Sequence, residues 1–200
     1  MRVLITGGCG FIGSHLAEYY ASRAEVRVLD NLRTGSLSNI EGLAVDFIRG
    51  SILDPDVLIQ AMDGVDYVFH LAALVSVPES VEHPQECVDL NTKGTLNVLQ
   101  AAVSAGAKKM CYSSSSAIYG NAKELPKHES MVPAPTSPYA VTKLSGEYYC
   151  QIASTQRGLP TASLRYFNVF GPRQDPDSPY AAAIPAFVSR AVNGDDVLIH

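Results

Sequence analysis

The pair in this chain best suited to move a proton is a tyrosine and a lysine four residues apart, in Ser137-Pro138-Tyr139-Ala140-Val141-Thr142-Lys143. On a helix that spacing puts both side chains on one face, close enough for the ammonium to act on the phenol or on a shared ligand. A free tyrosine, with a pKa of about 10, is a poor base at neutral pH, and a neighbouring positive charge favours the phenolate. The same pair could be incidental on a solvated helix face. A second cluster, Met110-Cys111-Tyr112-Ser113-Ser114-Ser115-Ser116-Ala117-Ile118-Tyr119-Gly120, gathers hydroxyls where an apolar run ends. A hydroxyl there can hold an alcohol against the Tyr139 oxygen without being a nucleophile, and no histidine and acid stand in the pattern of a hydrolase triad. The plainer reading of that cluster is a serine-rich turn.

A third group binds instead of reacting. The chain opens Met1-Arg2-Val3-Leu4-Ile5-Thr6-Gly7-Gly8-Cys9-Gly10-Phe11-Ile12-Gly13, an apolar strand running into glycines, with Leu16, Ala17 and Tyr20 at helical spacing beyond. Gly7 would allow a tight turn, Gly10 would let a pyrophosphate reach the backbone, and Gly13 would let helix and strand pack closely. A plain structural turn could use the same glycines, and the Gly-x-x-Gly-x-x-Gly spacing differs from the Gly-x-Gly-x-x-Gly of most dehydrogenases. Asp30 closes the next strand at the distance where a ribose-binding acid belongs. Its carboxylate would accept from a 2′-hydroxyl and repel a 2′-phosphate, favouring NAD over NADP. Arg33 muddies that preference, and a solvated acid at a strand end is the alternative.

The elements that must position these groups follow from hydrophobic period. Strands are expected at the N-terminus to Thr6, at 25–30, 44–48, 65–70, 108–113 and 161–166. Helices are expected after Gly13, after Asp54-Pro55, over about 84–105, from Ser137-Pro138 to about Gln156 with Gly158 ending it, and near 181–192 beyond a loop through Pro176 and Pro179. Asp195 to His200 ends in strand-like sequence. Alternating strands and helices predict an α/β fold: a doubly wound, Rossmann-like parallel sheet with its ligand outside the carboxyl ends of the strands.

Composition sets the outer limits. With 200 residues, 46% of them hydrophobic and 18% charged, the chain has the make-up of an ordinary globular domain. A net charge of −5, with scattered lysines and arginines, argues against a nucleic-acid partner. No apolar run approaches the roughly 18 to 20 residues of a membrane span, and no leader precedes the first strand, so a cytoplasmic location is expected. Cys9, Cys87, Cys111 and Cys150 lack metal-ligand spacing and read as reduced, mostly buried thiols, with no metal expected.

Together these stretches resemble the extended short-chain dehydrogenase/reductases and, among them, the NAD-dependent nucleotide-sugar epimerases. The likeness also rests on Asp30-Asn31-Leu32, His70-Leu71-Ala72-Ala73, Asn91-Thr92-Lys93-Gly94-Thr95 and Arg165-Tyr166-Phe167-Asn168-Val169-Phe170-Gly171-Pro172-Arg173. The resemblance implies 4-epimerisation of a UDP-hexose through a 4-keto intermediate, with bound NAD and a homodimeric assembly. It makes Tyr139 the general base, helped by Lys143 and the nicotinamide cation, Lys143 also a ribose ligand, and Ser115 the residue positioning the substrate hydroxyl, with Ser114 as the fallback. Tyr139, Ser115 and Asn168 would meet the substrate, Asn168 at its phosphates. Gly7, Gly10, Phe11, Ile12, Gly13, Asp30, Asn31, Ser51, Ile52, Leu71, Ala72, Ala73, Asn91, Ser113, Tyr139, Lys143 and Tyr166 would surround the cofactor. His70 reads as a strand-end residue without a chemical role.

The chain departs from the family in two ways. Gly50-Ser51-Ile52 stands where the family has Gly-Asp-Ile, replacing a carboxylate contact to adenine with a weaker hydroxyl. Family members also continue for more than a hundred residues, so residues 1–166 are expected to form the NAD-binding domain and 167–200 the beginning of a substrate domain, in a fragment or a shortened protein. A related dehydratase or reductase is the nearest enzymatic alternative, although Ser116-Ala117 stand where dehydratases carry acids. A noncatalytic NAD-binding module is the other.

Overall fold

The computed structural model describes residues 1–175 and 183–196. Six strands, β1 (Arg2–Thr6), β2 (Glu25–Asp30), β3 (Val45–Arg49), β4 (Tyr67–His70), β5 (Lys109–Ser115) and β6 (Thr161–Tyr166), form one sheet in the order β3-β2-β1-β4-β5-β6. Every pairing is parallel, and Thr6 lies opposite Leu29 on one side and His70 on the other, so the central strands end at one edge. Strand order reverses between β1 and β4, which opens a crevice at their carboxyl ends.

Val3, Leu4 and Ile5 are all buried, the continuous apolar run of a parallel strand covered on both faces. Their alternation divides two cores. Val3 and Ile5 pack with Val26, Val28 and Ala17 of α1 (Phe11–Ala21). Leu4 and Leu29 pack instead with α2 (Pro55–Met62), with α5 (Gly94–Ser104) and with Cys150 and Ala153 of α6 (Pro138–Arg157).

The capping signals set the helix ends. Asp54 caps α2 with Pro55 at its first position, and the Ser137 hydroxyl accepts from Ala140 N at 3.2 Å to start α6. Gly158 ends α6 in the left-handed conformation, φ 69°.

The single helix expected over 84–105 is instead three segments. A short helix α4 (Pro84–Cys87) passes into a π-helical turn, Val88–Lys93, and then into α5. The wide turn directs Asn91 inward, where its amide is bonded on several sides, and no hydrophobic period carries that information. A further helix, α3 (Val77–Glu82), precedes it, capped by Ser76, whose hydroxyl accepts from Glu79 N at 3.1 Å. β5 runs two residues further than expected, to Ser115, so the serines lie in the strand instead of beyond it.

The chain divides into two compact units, Met1–Tyr166 and Phe167–His200. The second unit carries α7 (Ala183–Asn193). Pro176, Pro179, the start of the helix expected at 181 and the end of the strand-like tail, from residue 197, lie outside the described residues.

Candidate active site

The glycine turn is fixed by contacts, not only by conformational freedom. Gly7 has φ 73° and donates to Leu29 O at 2.8 Å. A Cβ on Gly7 would lie 2.7 Å from Ala72 N, and one on Gly13 would lie 2.2 Å from Gly7 O. Larger side chains at either place would push β1, α1 and the loop after β4 apart. Gly10 caps α1 without any side-chain bond, so the first backbone N–H groups of the helix, those of Phe11 and Ile12 among them, have no side-chain cap. Leu71, Ala72 and Ala73 form the loop after β4, where Leu71 N donates to Thr6 O at 3.0 Å.

Asp30 is buried against this turn and is not a solvated acid. Its Oδ2 accepts from Cys9 N at 2.9 Å and its Oδ1 from Leu32 N at 2.8 Å. Each oxygen keeps a further lone pair for a ribose hydroxyl. Next to it an open groove of about 660 Å³ is lined by Asn31, Arg33, Ser51, Leu53 and residues 82–86 and 89–90. Ser51 faces this groove while its hydroxyl also accepts from Leu53 N at 3.1 Å. Ile52 is turned away into the core, so any part it takes in adenine binding goes through its backbone. A turn of open N–H groups, a carboxylate at the end of β2 and a groove continuing past it fit a dinucleotide.

At the end of β5 the strand's period of two sorts the serines. The Ser115 hydroxyl accepts from Ala117 N at 3.1 Å and lies close enough to the Tyr139 phenol to lower its pKa. Ser113 stands in the same way beside the Tyr166 phenol, and its carbonyl accepts from Lys143 Nζ at 2.8 Å. Ser114 points the other way, to Glu147 Oε1 at 2.5 Å, so the fallback hydroxyl is directed away from Tyr139. Glu147 in turn holds Arg165, through Nε–Oε1 at 3.0 Å and Nη2–Oε2 at 2.9 Å, and Arg165 reaches the Tyr119 hydroxyl at 3.0 Å. This brace under the serines escaped the sequence reading. Its signal is Glu147, one helical turn beyond Lys143 on α6.

The electrostatics of the pair differ from expectation. Burial pushes the Tyr139 phenol up, and the nearby Ser115 hydroxyl opposes it more weakly. Lys143 is buried and pulled down to about 8 by desolvation; its Nζ lies 5.8 Å from the centre of the Tyr139 ring and is bonded to Ser113. In this geometry the lysine does not by itself make the tyrosine a base. His70, bonded through Nδ1 to Thr6 Oγ1 at 2.7 Å and through Nε2 to Thr95 Oγ1 at 3.0 Å, is held down to about 3 by burial, hence neutral and structural.

Asn91 is also a brace. Its Oδ1 accepts from Leu74 N at 2.8 Å, and its Nδ2 donates to Leu74 O at 2.9 Å and Thr142 Oγ1 at 3.1 Å. It ties the loop after β4 to α6 and is enclosed there, with its amide already bonded to the protein. Asn168 belongs to the second unit and is exposed. None of the four cysteines is in a disulfide, and burial raises every one of these thiols, Cys9 and Cys150 to about 12. Among the described residues no His, Cys, Asp and Glu cluster could hold a metal, and no helix is long and apolar enough to cross a membrane.

Comparison with known proteins agrees with this geometry. The chain is 39% identical to a UDP-N-acetyl-alpha-D-glucosaminuronate decarboxylase of Bacillus cytotoxicus, over 100% of this chain and 64% of that one. A UDP-N-acetylglucosamine 4-epimerase from Methanobrevibacter ruminantium, solved with UDP-N-acetylmuramic acid, matches with a TM-score of 0.96 at 42% identity, over 100% of this chain and 65% of that one. A Thermus thermophilus UDP-glucose 4-epimerase solved with NAD matches with a TM-score of 0.91 at 41% identity, over 98% and 64%. The chain thus spans just under two thirds of the length of these relatives. The sequence model of the NAD dependent epimerase/dehydratase family covers residues 3–200, and the chain belongs to that family.

Proposed function

We propose that the chain carries the NAD site and the acid–base group of a UDP-sugar 4-epimerase. The observation that supports this best is the placement of the Ser115 hydroxyl beside the Tyr139 phenol at the carboxyl end of β5, with Lys143 one helical turn along α6. Gly7, Gly10, Gly13 and the N–H groups of Phe11 and Ile12 would hold the pyrophosphate, and Asp30 a ribose. Asn31 and Ser51 would face the adenosine end. Leu71, Ala72, Ala73, Ser113 and Tyr166 would line the nicotinamide end.

Tyr139 takes the proton from the sugar 4-hydroxyl while Ser115 fixes that hydroxyl's direction. NAD, when bound, supplies a positively charged ring that reversibly accepts the hydride from C4. Once the 4-keto sugar has turned its other face to the site, Tyr139 would return the proton to the C4 oxygen. Lys143 has three N–H donors, one of them on Ser113, which leaves others for a ribose hydroxyl. Elimination would call for a carboxylic acid beside the hydroxyl, and the carboxylate that touches the serine run, Glu147, is engaged by Arg165.

The nature of the sugar and base is tested by incubating the protein with NAD and each of several UDP-hexoses and following C4 inversion by NMR. The assay uses the 200-residue chain and a version continued with the C-terminal third of a matched epimerase, because those relatives are half as long again. Inversion of a UDP-hexose that vanishes in Tyr139→Phe supports the reading. Stoichiometric NAD binding with no turnover in either version favours a noncatalytic module.

A homodimer and a cytoplasmic setting belong to the same reading. Val141, Tyr148 and Ile152 form one exposed apolar stripe on α6, with Val81 and Val88 exposed on elements packed beside it, a face suited to a second copy. Sedimentation of the chain at micromolar concentration tests this. Four unpaired thiols fit a reducing compartment.

A further inference from the structure

Arg33 stands three residues past Asp30, where an arginine in a dinucleotide-binding fold meets a 2′-phosphate. Its loop cannot swing freely. Asn31 Oδ1 accepts from Arg33 N at 3.0 Å, and Ser36 N and Asn39 Nδ2 both donate to Cys9 O, at 3.0 and 2.8 Å, which ties the loop to the glycine turn. The side chain is engaged instead by α3 and α4. Nη2 meets Glu79 Oε1 at 2.5 Å, and Nη1 meets Glu86 Oε1 at 2.6 Å. The Glu79 backbone N–H donates to the Ser76 cap, which fixes where α3 starts and so where this carboxylate departs. Arg33, Glu86 and Asn31 line the same groove as Ser51.

We propose that Glu79 and Glu86 set cofactor discrimination: by engaging Arg33 they deny it to a 2′-phosphate and enforce a preference for NAD over NADP. The proposal rests on the NAD reading given above. One guanidinium faces two carboxylates here, with Asp30 at the base of the same loop, so the neighbourhood of the ribose carries excess negative charge. A 2′-phosphate, itself carrying nearly two negative charges, would have to displace both carboxylates to reach the arginine. Each pair is partly exposed and weak when taken singly, but two pairs on one planar group hold it in a single direction. Asp30 and the clasp then act on the same discrimination from two sides.

The test is calorimetric titration of NAD and NADP into the wild-type chain, Glu79→Gln/Glu86→Gln, and the same double variant with Arg33→Ala. In the double variant the NADP-to-NAD ratio of Kd values should fall about tenfold or more, the NAD value itself moving less than about threefold. Adding Arg33→Ala should restore the ratio, because the gain comes from the released guanidinium. Glu86→Gln alone, at the more exposed position, should give part of the shift in the same direction. An unchanged ratio in the double variant, or a gain that survives Arg33→Ala, overturns the proposal. Failure of the folded wild-type chain to bind either cofactor saturably would instead overturn the NAD reading, and the proposal with it.

Discussion

The two halves of the sheet hold their ligand groups in opposite ways. Around β1, β2 and the glycine turn, the backbone provides the site: N–H groups and close approaches, with Asp30 locked by Cys9 N and Leu32 N in its binding direction. Around β4, β5 and α6 the groups are side chains, and burial shifts their titration. Burial raises Tyr139, lowers Lys143 and keeps His70 neutral. On the reading proposed above, the first half binds, and the tyrosine of the second becomes a base when positive charge arrives beside it. A cofactor spanning both halves would then bring that charge to the tyrosine as it binds.

The largest effect that would sharpen this contrast is on chemistry alone. In the continued protein, Tyr139→Phe should lower 4-epimerisation about 10²- to 10⁴-fold, the range of a positioned acid–base group, while the NAD Kd measured by calorimetry stays within about threefold. A loss of NAD affinity equal to the loss of turnover would merge the two halves. On the binding side, Gly13→Ala would place a Cβ 2.2 Å from Gly7 O and 2.7 Å from Gly8 Cα. Overpacking of that kind costs about 1–3 kcal/mol, so NAD affinity should fall by up to about 10²-fold. A melting curve should show the accompanying loss of stability.

Lys143→Met separates stability from function. The lysine's ordinary value is 10.5 and its value here about 8, so between those limits the unfolded chain holds a proton that the folded chain has released. Stability therefore rises with pH from about 8 to about 10.5, and the cost of burying the charge is fully present below 8. The methionine variant should lose that rise and be more stable at pH 7, by up to about 3 kcal/mol, in urea titrations at pH 7 and 10. It should also lose turnover and bind NAD less tightly. The smallest effect is Ser51→Asp. An aspartate can keep the bond to Leu53 N and offer its second oxygen to adenine, which should tighten NAD binding by about 1 kcal/mol, roughly fivefold.

The same contrast governs what could be read from sequence. The binding half is local: the glycines, the strand end at Asp30 and the caps at Asp54 and Ser137 are short-range patterns with direct backbone consequences. β2 was accordingly legible to the residue. The half around β4, β5 and α6 was legible in its residue types but not in its environment. Tyr139 and Lys143 are four apart in sequence, yet whether the lysine acts on the phenol depends on Ser113 O, thirty residues earlier, which receives the ammonium. The bracing bonds of Asn91 were not legible because a π-helical turn alters its direction without altering the apolar period. α3 had a legible sign, Ser76 three residues before Glu79, which is the pattern of a capping box, but no apolar period behind it. The Arg33 clasp joins residues 46 and 53 positions apart, beyond the reach of any local pattern.

The most direct test of the account is the titration of Tyr139 itself. Tyrosine labelled with ¹³C at Cζ, assigned by comparison with Tyr139→Phe, reports the phenol's pKa in the 200-residue chain with and without NAD. The account predicts a value above the ordinary tyrosine value of about 10 in the chain alone, and a fall of more than about one unit on saturation with NAD. A phenol that titrates at or below 10 without the cofactor, or one that does not move when NAD binds, would contradict it.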